Sequence, residues 1–198
     1  MCGSFGKIST FSFYPNKHIT TGEGGMILTN NETLAEKCKS LRNLCFKEGQ
    51  RFVHEELGWN YRLTNMQAAV GLAQLENIDE HVSRKRKIGK LYQELLSDFD
   101  MVHTPLPFTE YAENIYWVFG LILKNNFQLN AKDVMLKLRD IGIGSRPFFY
   151  PMHKQPVFKK LGLFKEEIYP VAENMSQKGF YIPSGLGCKE EQILIVVD

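Results

Sequence analysis

Two short apolar runs, residues 8–14 and 26–29, flank a turn rich in Thr and Gly. A single lysine, Lys17, stands where the first run gives way to that turn. Such runs read as strands, and glycines at the junction let the backbone pass close to a bound group. Asn30 or Asn31 can then cap a helix over 32–44, with Leu34, Cys38 and Leu41 on one face. The start of the chain thus reads as two strands around a loop, followed by a capped helix. Lys17 is thereby expected in a partly desolvated position, where an ammonium gives up its proton more easily and the free amine can attack an aldehyde. Ser12, five residues earlier, offers a hydroxyl suited to a phosphate oxygen. An amine and a phosphate donor on one loop are what pyridoxal 5'-phosphate (PLP) requires. Most loop lysines are solvated surface charges, so the spacing alone leaves that alternative open. The turn matches neither phosphate-loop pattern, G-x-x-x-x-G-K-[ST] or G-x-G-x-x-G.

Further along, residues 46–57 are polar and mixed and read as a loop. Thr64 opens a long helical pattern through Leu96. Met66, Ala69, Val70, Ala73 and Leu75 crowd its first half, and Ile88, Leu91, Tyr92 and Leu95 stripe its second. The basic run 83–87 within it reads as a solvated helix face. Prolines at 105 and 107 break the pattern. A buried strand over 116–123, a helix over 131–139 capped by Asn130, a helix over 171–178, a strand over 180–182 and a helical start over 190–197 complete the order. Trp117, Phe119, Phe148, Phe149 and Tyr150 read as core. The chain is expected to divide near residue 88, within the long helix.

Composition excludes several classes. The 198 residues carry 24 Lys and Arg against 22 Asp and Glu, a net charge of +2, which gives no reason to invoke nucleic acid or a membrane surface. No run has the length of a transmembrane helix, and the first residues lack the basic and apolar regions of a signal peptide. Cys2, Cys38, Cys45 and Cys188 form no C-x-x-C pair, so free thiols and a cytoplasmic location are expected. The five histidines show no metal-ligand spacing.

Three blocks carry a resemblance. The first is Phe11 to Lys17 followed by Ile19 to Met26. The second is Leu57 to Leu75, containing Gly58-Trp59-Asn60-Tyr61-Arg62. The third is Ser145 to His153. In this order they resemble the DegT/StrS-type nucleotide-sugar aminotransferases, and the third is similar to the GDP-perosamine synthase branch. The resemblance implies an α/β fold, the C-terminal portion of a fold-type I PLP-dependent aminotransferase: the end of the large α/β domain, residues 1–88, followed by a small α+β domain, residues 89–198. The family's earlier strands, ring-stacking group and pyridine-binding aspartate lie before the lysine strand, so the chain is expected to be an incomplete part, a fragment or a split gene product.

The resemblance also assigns roles. Lys17 would be the catalytic lysine, forming the Schiff base with PLP and moving the proton. It is not the histidine that the related sugar dehydratases carry there, which favours amino transfer. Ser12 would bind the cofactor phosphate. Asn60 matches a family asparagine that reaches the partner subunit's cofactor site, which implies a homodimer with sites at the subunit interface. Arg62, two residues on, would serve a phosphate or carboxylate. Helix capping is the competing role for both. Arg146 would pair with the diphosphate of a nucleotide-sugar, and His153 would contact the sugar or phosphates. The run from Gln67 to Gln74 reads as tight helix packing rather than a ligand site. The implied reaction moves an amino group from glutamate to a 4-keto-6-deoxy nucleotide-sugar. The alternative is a non-catalytic truncated fragment that acts as an assembly module.

Overall fold

The computed structural model describes residues 2–198, which cluster into two compact units dividing between Glu80 and His81. In the first unit, β1 (Ser9–Ser12) pairs antiparallel with β2 (Gly25–Leu28), in the register Ser9 to Leu28 and Ser12 to Gly25. The lysine loop joins them. Helix α1 (Glu32–Arg42) follows, with Asn31 as its cap: the side chain accepts from the Leu34 backbone N–H at 2.9 Å. An extended segment then returns beside the end of α1. Trp59 donates to the Leu41 carbonyl (2.7 Å), Leu44 to that of Trp59 (3.0 Å) and Tyr61 to that of Arg42 (3.0 Å). Gly58 permits this approach, since a Cβ there would lie 2.5 Å from the Leu44 carbonyl carbon.

Helix α2 (Asn65–Leu75) starts at a capping box. The Thr64 hydroxyl accepts from Gln67 N–H at 3.2 Å, and the Gln67 side chain accepts from the Thr64 N–H at 3.0 Å. The single helix expected from Thr64 to Leu96 is in fact two. The Asn77 side chain donates to the Ala73 carbonyl at 2.8 Å, taking an acceptor from the last turn of α2. Helix α3 (Ile78–Leu95) then starts afresh with Asp79 and Glu80 in its first turn, where acidic groups meet the positive end of the helix dipole. The apolar pattern carries on through this break, so periodicity alone does not reveal it.

The second unit holds a four-stranded antiparallel sheet in the order β3 (Val102–His103), β6 (Phe119–Leu123), β8 (Gly179–Ile182), β7 (Arg146–Pro147). A hairpin, β4 (Phe108–Thr109) with β5 (Ala112–Glu113), lies in the connection from β3 to β6. Along β6, Phe119, Leu121 and Leu123 are buried while Gly120 and Ile122 are half-buried, the alternation of a strand with one core face. That face packs with Ile88, Tyr92 and Leu96 at α3, Phe180 and Ile182 on β8, Ala131 of α4 (Ala131–Asp140) and Ile193 of α7 (Glu190–Val197). Tyr92 and Phe119 are fully buried, with ring centroids 4.8 Å apart. Asn130 caps α4 by accepting from Asp133 N–H at 3.0 Å. Two shorter helices, α5 (Pro156–Lys160) and α6 (Pro170–Lys178), each begin with a proline at the first turn, where its missing N–H costs nothing. No helix among the described residues is long and apolar enough to cross a membrane.

Three expectations need correction here. The strand expected over 116–123 begins only at Phe119, because Tyr116 takes a left-handed conformation (φ 47°) and lays its ring on Gly89 of α3. Phe149 and Tyr150 are exposed, not core. Phe149 is 74% exposed and stacks on half-buried Trp117 at 6.3 Å. The basic run 83–87 is not uniformly solvated, because Lys85 points into the unit and is 5% exposed. Its ammonium donates to the Trp117 carbonyl at 3.2 Å and to that of Ser184. Burial pushes its pKa down to about 8.

Candidate active site

The lysine loop folds back on its own strand and is held there from α2. Lys17 N–H donates to the Tyr14 carbonyl at 3.0 Å, closing a turn directly after β1. Thr21 N–H and the Thr20 hydroxyl both reach the Phe13 carbonyl, at 3.0 and 2.9 Å. Gln74 then grips the loop with both ends of its amide. Its oxygen accepts from Thr20 N–H at 3.1 Å, and its nitrogen donates to the Thr20 carbonyl at 2.7 Å. Gln67 adds a bond to the Glu23 carbonyl at 3.0 Å. Neither glutamine was expected in the site. The only signal for them was their spacing of seven residues, which places both on one face of α2.

Small residues make this clamp close. A Cβ at Gly71 would lie 2.9 Å from the Thr21 methyl group, so the helix backbone rests almost on the loop. Gly24 has φ +153°, and a Cβ there would run into the Thr21 hydroxyl. Thr21 itself is buried, and its hydroxyl donates to the Glu23 carbonyl at 2.8 Å. The loop that carries Lys17 is therefore fixed by geometry rather than by an apolar core.

Ser12 ends β1, and Lys17 follows on the same loop. The Ser12 hydroxyl accepts from Tyr14 N–H at 3.3 Å, which leaves its own proton to donate. Ser12 is exposed and Lys17 half-buried. An amine, a hydroxyl donor and a glycine-lined loop form a donor set that fits the aldehyde and phosphate of PLP.

Asn60 and Arg62 are brought together. They lie two apart on the extended segment, and the Arg62 guanidinium donates to the Asn60 side-chain oxygen at 2.8 Å. Trp59 and Tyr61 stack on each other with centroids 6.0 Å apart. Both polar side chains are exposed, as is Arg146, which sits on β7 opposite Tyr181. Arg146 and His153 lie in the second unit, apart in sequence from the other four residues. His153 is buried in a single 3-10 turn (Met152–Lys154), and its Nε2 is bonded to Glu173 at 2.9 Å. Lys154 pairs with the other oxygen of the same carboxylate. Among the described residues no group of three or more His, Cys, Asp or Glu could hold a metal ion.

The chain is similar to known proteins along its whole length. Residues 1–198 match the DegT/DnrJ/EryC1/StrS aminotransferase family throughout. The chain belongs to that family. Its relatives include the GDP-perosamine synthase of Vibrio cholerae, 38% identical over 192 residues that span 96% of this chain and 51% of that protein. The GDP-perosamine synthase of Escherichia coli O157:H7 is 35% identical over 196 residues, spanning 99% of this chain and 51% of that protein. The chain thus spans about half the length of the curated relatives it matches.

Solved structures show the same fold. Helicobacter pylori PseC, an aminotransferase involved in the biosynthesis of pseudoaminic acid, superposes with a TM-score of 0.88 at 23% identity, over 99% of this chain and 53% of that one. The E. coli GDP-4-keto-6-deoxy-D-mannose-3-dehydratase gives a TM-score of 0.80 at 22% identity, over 100% of this chain and 55% of that one. The second comparison is instructive. A dehydratase and an aminotransferase share this half of the fold, so the fold alone does not choose the chemistry. That choice falls to individual side chains.

Proposed function

We propose that the protein takes part in PLP-dependent transfer of an amino group from glutamate to a 4-keto-6-deoxy nucleotide-sugar carried by GDP. The observation that carries this reading is Lys17 on a loop clamped by Gln74 and Gln67, in a chain 38% identical to a GDP-perosamine synthase. In this reading residues 1–88 belong to the cofactor-binding domain and 89–198 to the small domain.

PLP, when bound, supplies an aldehyde for the lysine and a ring that draws electrons from the substrate carbon. Lys17 would hold the cofactor through its side-chain amine and, as a free amine, would take up and return a proton at the substrate carbon. The turn Tyr14–Lys17 and the amide grip on Thr20 fix where its backbone starts, which limits the arc its side chain can sweep. Ser12 donates its free proton to the cofactor phosphate. Asn60 acts across a homodimer interface, with Arg62 bonded to it and directed at an anionic group. Arg146 pairs with the diphosphate, and His153 contacts the nucleotide-sugar.

The test separates the two half-reactions by following the cofactor's spectrum. Lys17→Ala is expected to abolish both, because no other residue supplies the amine and the proton transfer. Arg146→Ala and His153→Ala are expected to raise KM for the nucleotide-sugar and leave the glutamate half-reaction nearly intact. If Arg146→Ala slows the glutamate half-reaction as much as the sugar half-reaction, its assignment to the nucleotide-sugar is wrong. A second reading, an assembly module without turnover, is favoured by the bare apolar residues of the first unit, such as Met66, Leu72 and Ile27. Self-association with no Lys17-dependent turnover would select it.

A further inference from the structure

Glu173 lies in the first turn of α6, twenty residues after His153, and nothing in the local sequence pattern marks it. Its carboxylate is nevertheless a hub. One oxygen receives His153 Nε2 at 2.9 Å and the Tyr169 backbone N–H at 3.3 Å. The other receives the Lys154 ammonium. The Tyr169 ring stands edge-on to the imidazole, with centroids 4.8 Å apart. Three donors hold the carboxylate still, and the carboxylate with the tyrosine ring holds the imidazole still.

The chemistry of this contact is one-sided. The bonds from Lys154 and then His153 push the Glu173 pKa down to about 2, so the group is ionised at any working pH. An ionised carboxylate only accepts, so the proton in the contact belongs to Nε2. In a neutral ring the proton is then absent from Nδ1, which keeps its lone pair. A solvated histidine would exchange between the two tautomers. This one is committed by its partner, and its burial at 6% exposure excludes competing water from most of the ring.

We propose that Glu173 is a positioning residue that locks the neutral His153 ring with its proton on Nε2 and thereby presents Nδ1 as the acceptor toward the nucleotide-sugar. The inference rests on the reading of His153 as a nucleotide-sugar contact given above. It adds which nitrogen serves the ligand, what sets it, and which ligand group it suits. Nδ1 of the neutral ring accepts a hydrogen bond from a ribose hydroxyl of the nucleotide, whereas Arg146 takes the phosphate oxygens.

The test uses the chain labelled with 15N-histidine at a pH where the ring is neutral, with GDP as the probe. Two-bond 1H–15N spectra are expected to show His153 as the Nε2–H tautomer. In Glu173→Gln the amide offers both a donor and an acceptor, so a mixture of tautomers is expected. His153→Ala should weaken GDP about tenfold, the size of one hydrogen bond, and Glu173→Gln should weaken it by a smaller factor. The double variant should bind no worse than His153→Ala alone, because Glu173 acts only through the imidazole. Glu173 serving purely as an anchor for Lys154 would instead give additive losses. An Nδ1–H tautomer in the unaltered chain, an unchanged tautomer in Glu173→Gln, or additive losses would each overturn the proposal. The first of these does not depend on any variant folding. Unchanged GDP affinity in His153→Ala, with the tautomer as expected, would overturn the assignment of His153 to the ligand and leave the Glu173 lock standing as a structural feature.

Discussion

The two units of this chain are built on different principles. In the second, Tyr92, Phe119 and Ile193 are fully buried, and strands and helices from five stretches of sequence share one core. In the first, Cys45 is the one buried hydrophobic residue described; α1 and α2 bury none, and every residue of β2 is exposed. What holds the first unit is directional: the capping box at Thr64, the amide grip of Gln74, and the backbone bonds around Trp59. The sheet of the second unit stabilises itself by burial. The lysine loop of the first is shaped with precision, while the apolar residues around it still lack cover. A site of this kind is assembled on a scaffold whose apolar face calls for a second surface.

The largest effect is expected where the burial is complete. Phe119→Ala should cost about 3–5 kcal/mol, enough to unfold the second unit, as measured by chemical denaturation. A loss below about 1 kcal/mol would mean that the core is not what holds that unit. Next comes overpacking at the Tyr116 contact. A Cβ at Gly89 would lie 2.5 Å from the Tyr116 ring, so Gly89→Ala should cost about 1–3 kcal/mol in the same assay.

Lys85 gives a pH signature confined to the second unit. Its folded pKa, about 8, lies below the model-peptide value of 10.5. Between those values the unfolded chain binds more protons than the folded one, so stability rises with pH. Tyr92 works the other way. Burial raises its pKa above 10.0, so the folded state retains a proton that the unfolded state loses above that pH. The Lys85 gain is therefore visible between about pH 8 and 10. Lys85→Met should remove that rise. A Lys85→Met variant whose pH curve parallels the unaltered chain would show that the ammonium is not desolvated.

In the first unit, effects should be smaller and of a different kind. Thr64→Ala removes the cap of α2 and should cost about 1 kcal/mol, read as faster hydrogen exchange in α2 and in the lysine loop that it clamps. Met66→Ser, on an 81% exposed side chain, should change stability by no more than about 0.5 kcal/mol. It should reduce self-association and hydrophobic-dye binding. A large loss of stability would break the contrast between the units.

Much of this contrast was legible in the sequence, for local reasons. The pair Asn30 and Asn31, of which Asn31 is the cap, and Thr64 and Asn130 announced their helices because a cap acts within three or four residues of itself. The apolar run over 116–123 announced a buried strand, which the structure narrows to Phe119–Leu123 with one core face. The lysine loop was legible from its glycines and from the resemblance. What escaped was set by contacts between distant residues. Gln74 reaches Thr20 across 54 positions and Lys85 reaches Ser184 across 99, so neither pattern exists locally. Lys85 read as surface because its neighbours Ser83, Arg84 and Lys87 are surface. Phe149 and Tyr150 read as core because they are aromatic, yet composition does not say which face of a short proline-framed segment meets the sheet. The break at Asn77 was hidden because the apolar stripe continues on both sides of it.

The central claim is that Lys17, and no other lysine, is built to hold the cofactor's aldehyde. The most direct test is to add PLP, reduce with borohydride and map the modified lysines by peptide mass spectrometry. The account predicts preferential labelling of Lys17, weakened by Ser12→Ala through loss of the phosphate donor, with labelling elsewhere unchanged in Lys17→Ala. Labelling of Lys17 no greater than that of exposed lysines such as Lys137 and Lys160 would contradict it.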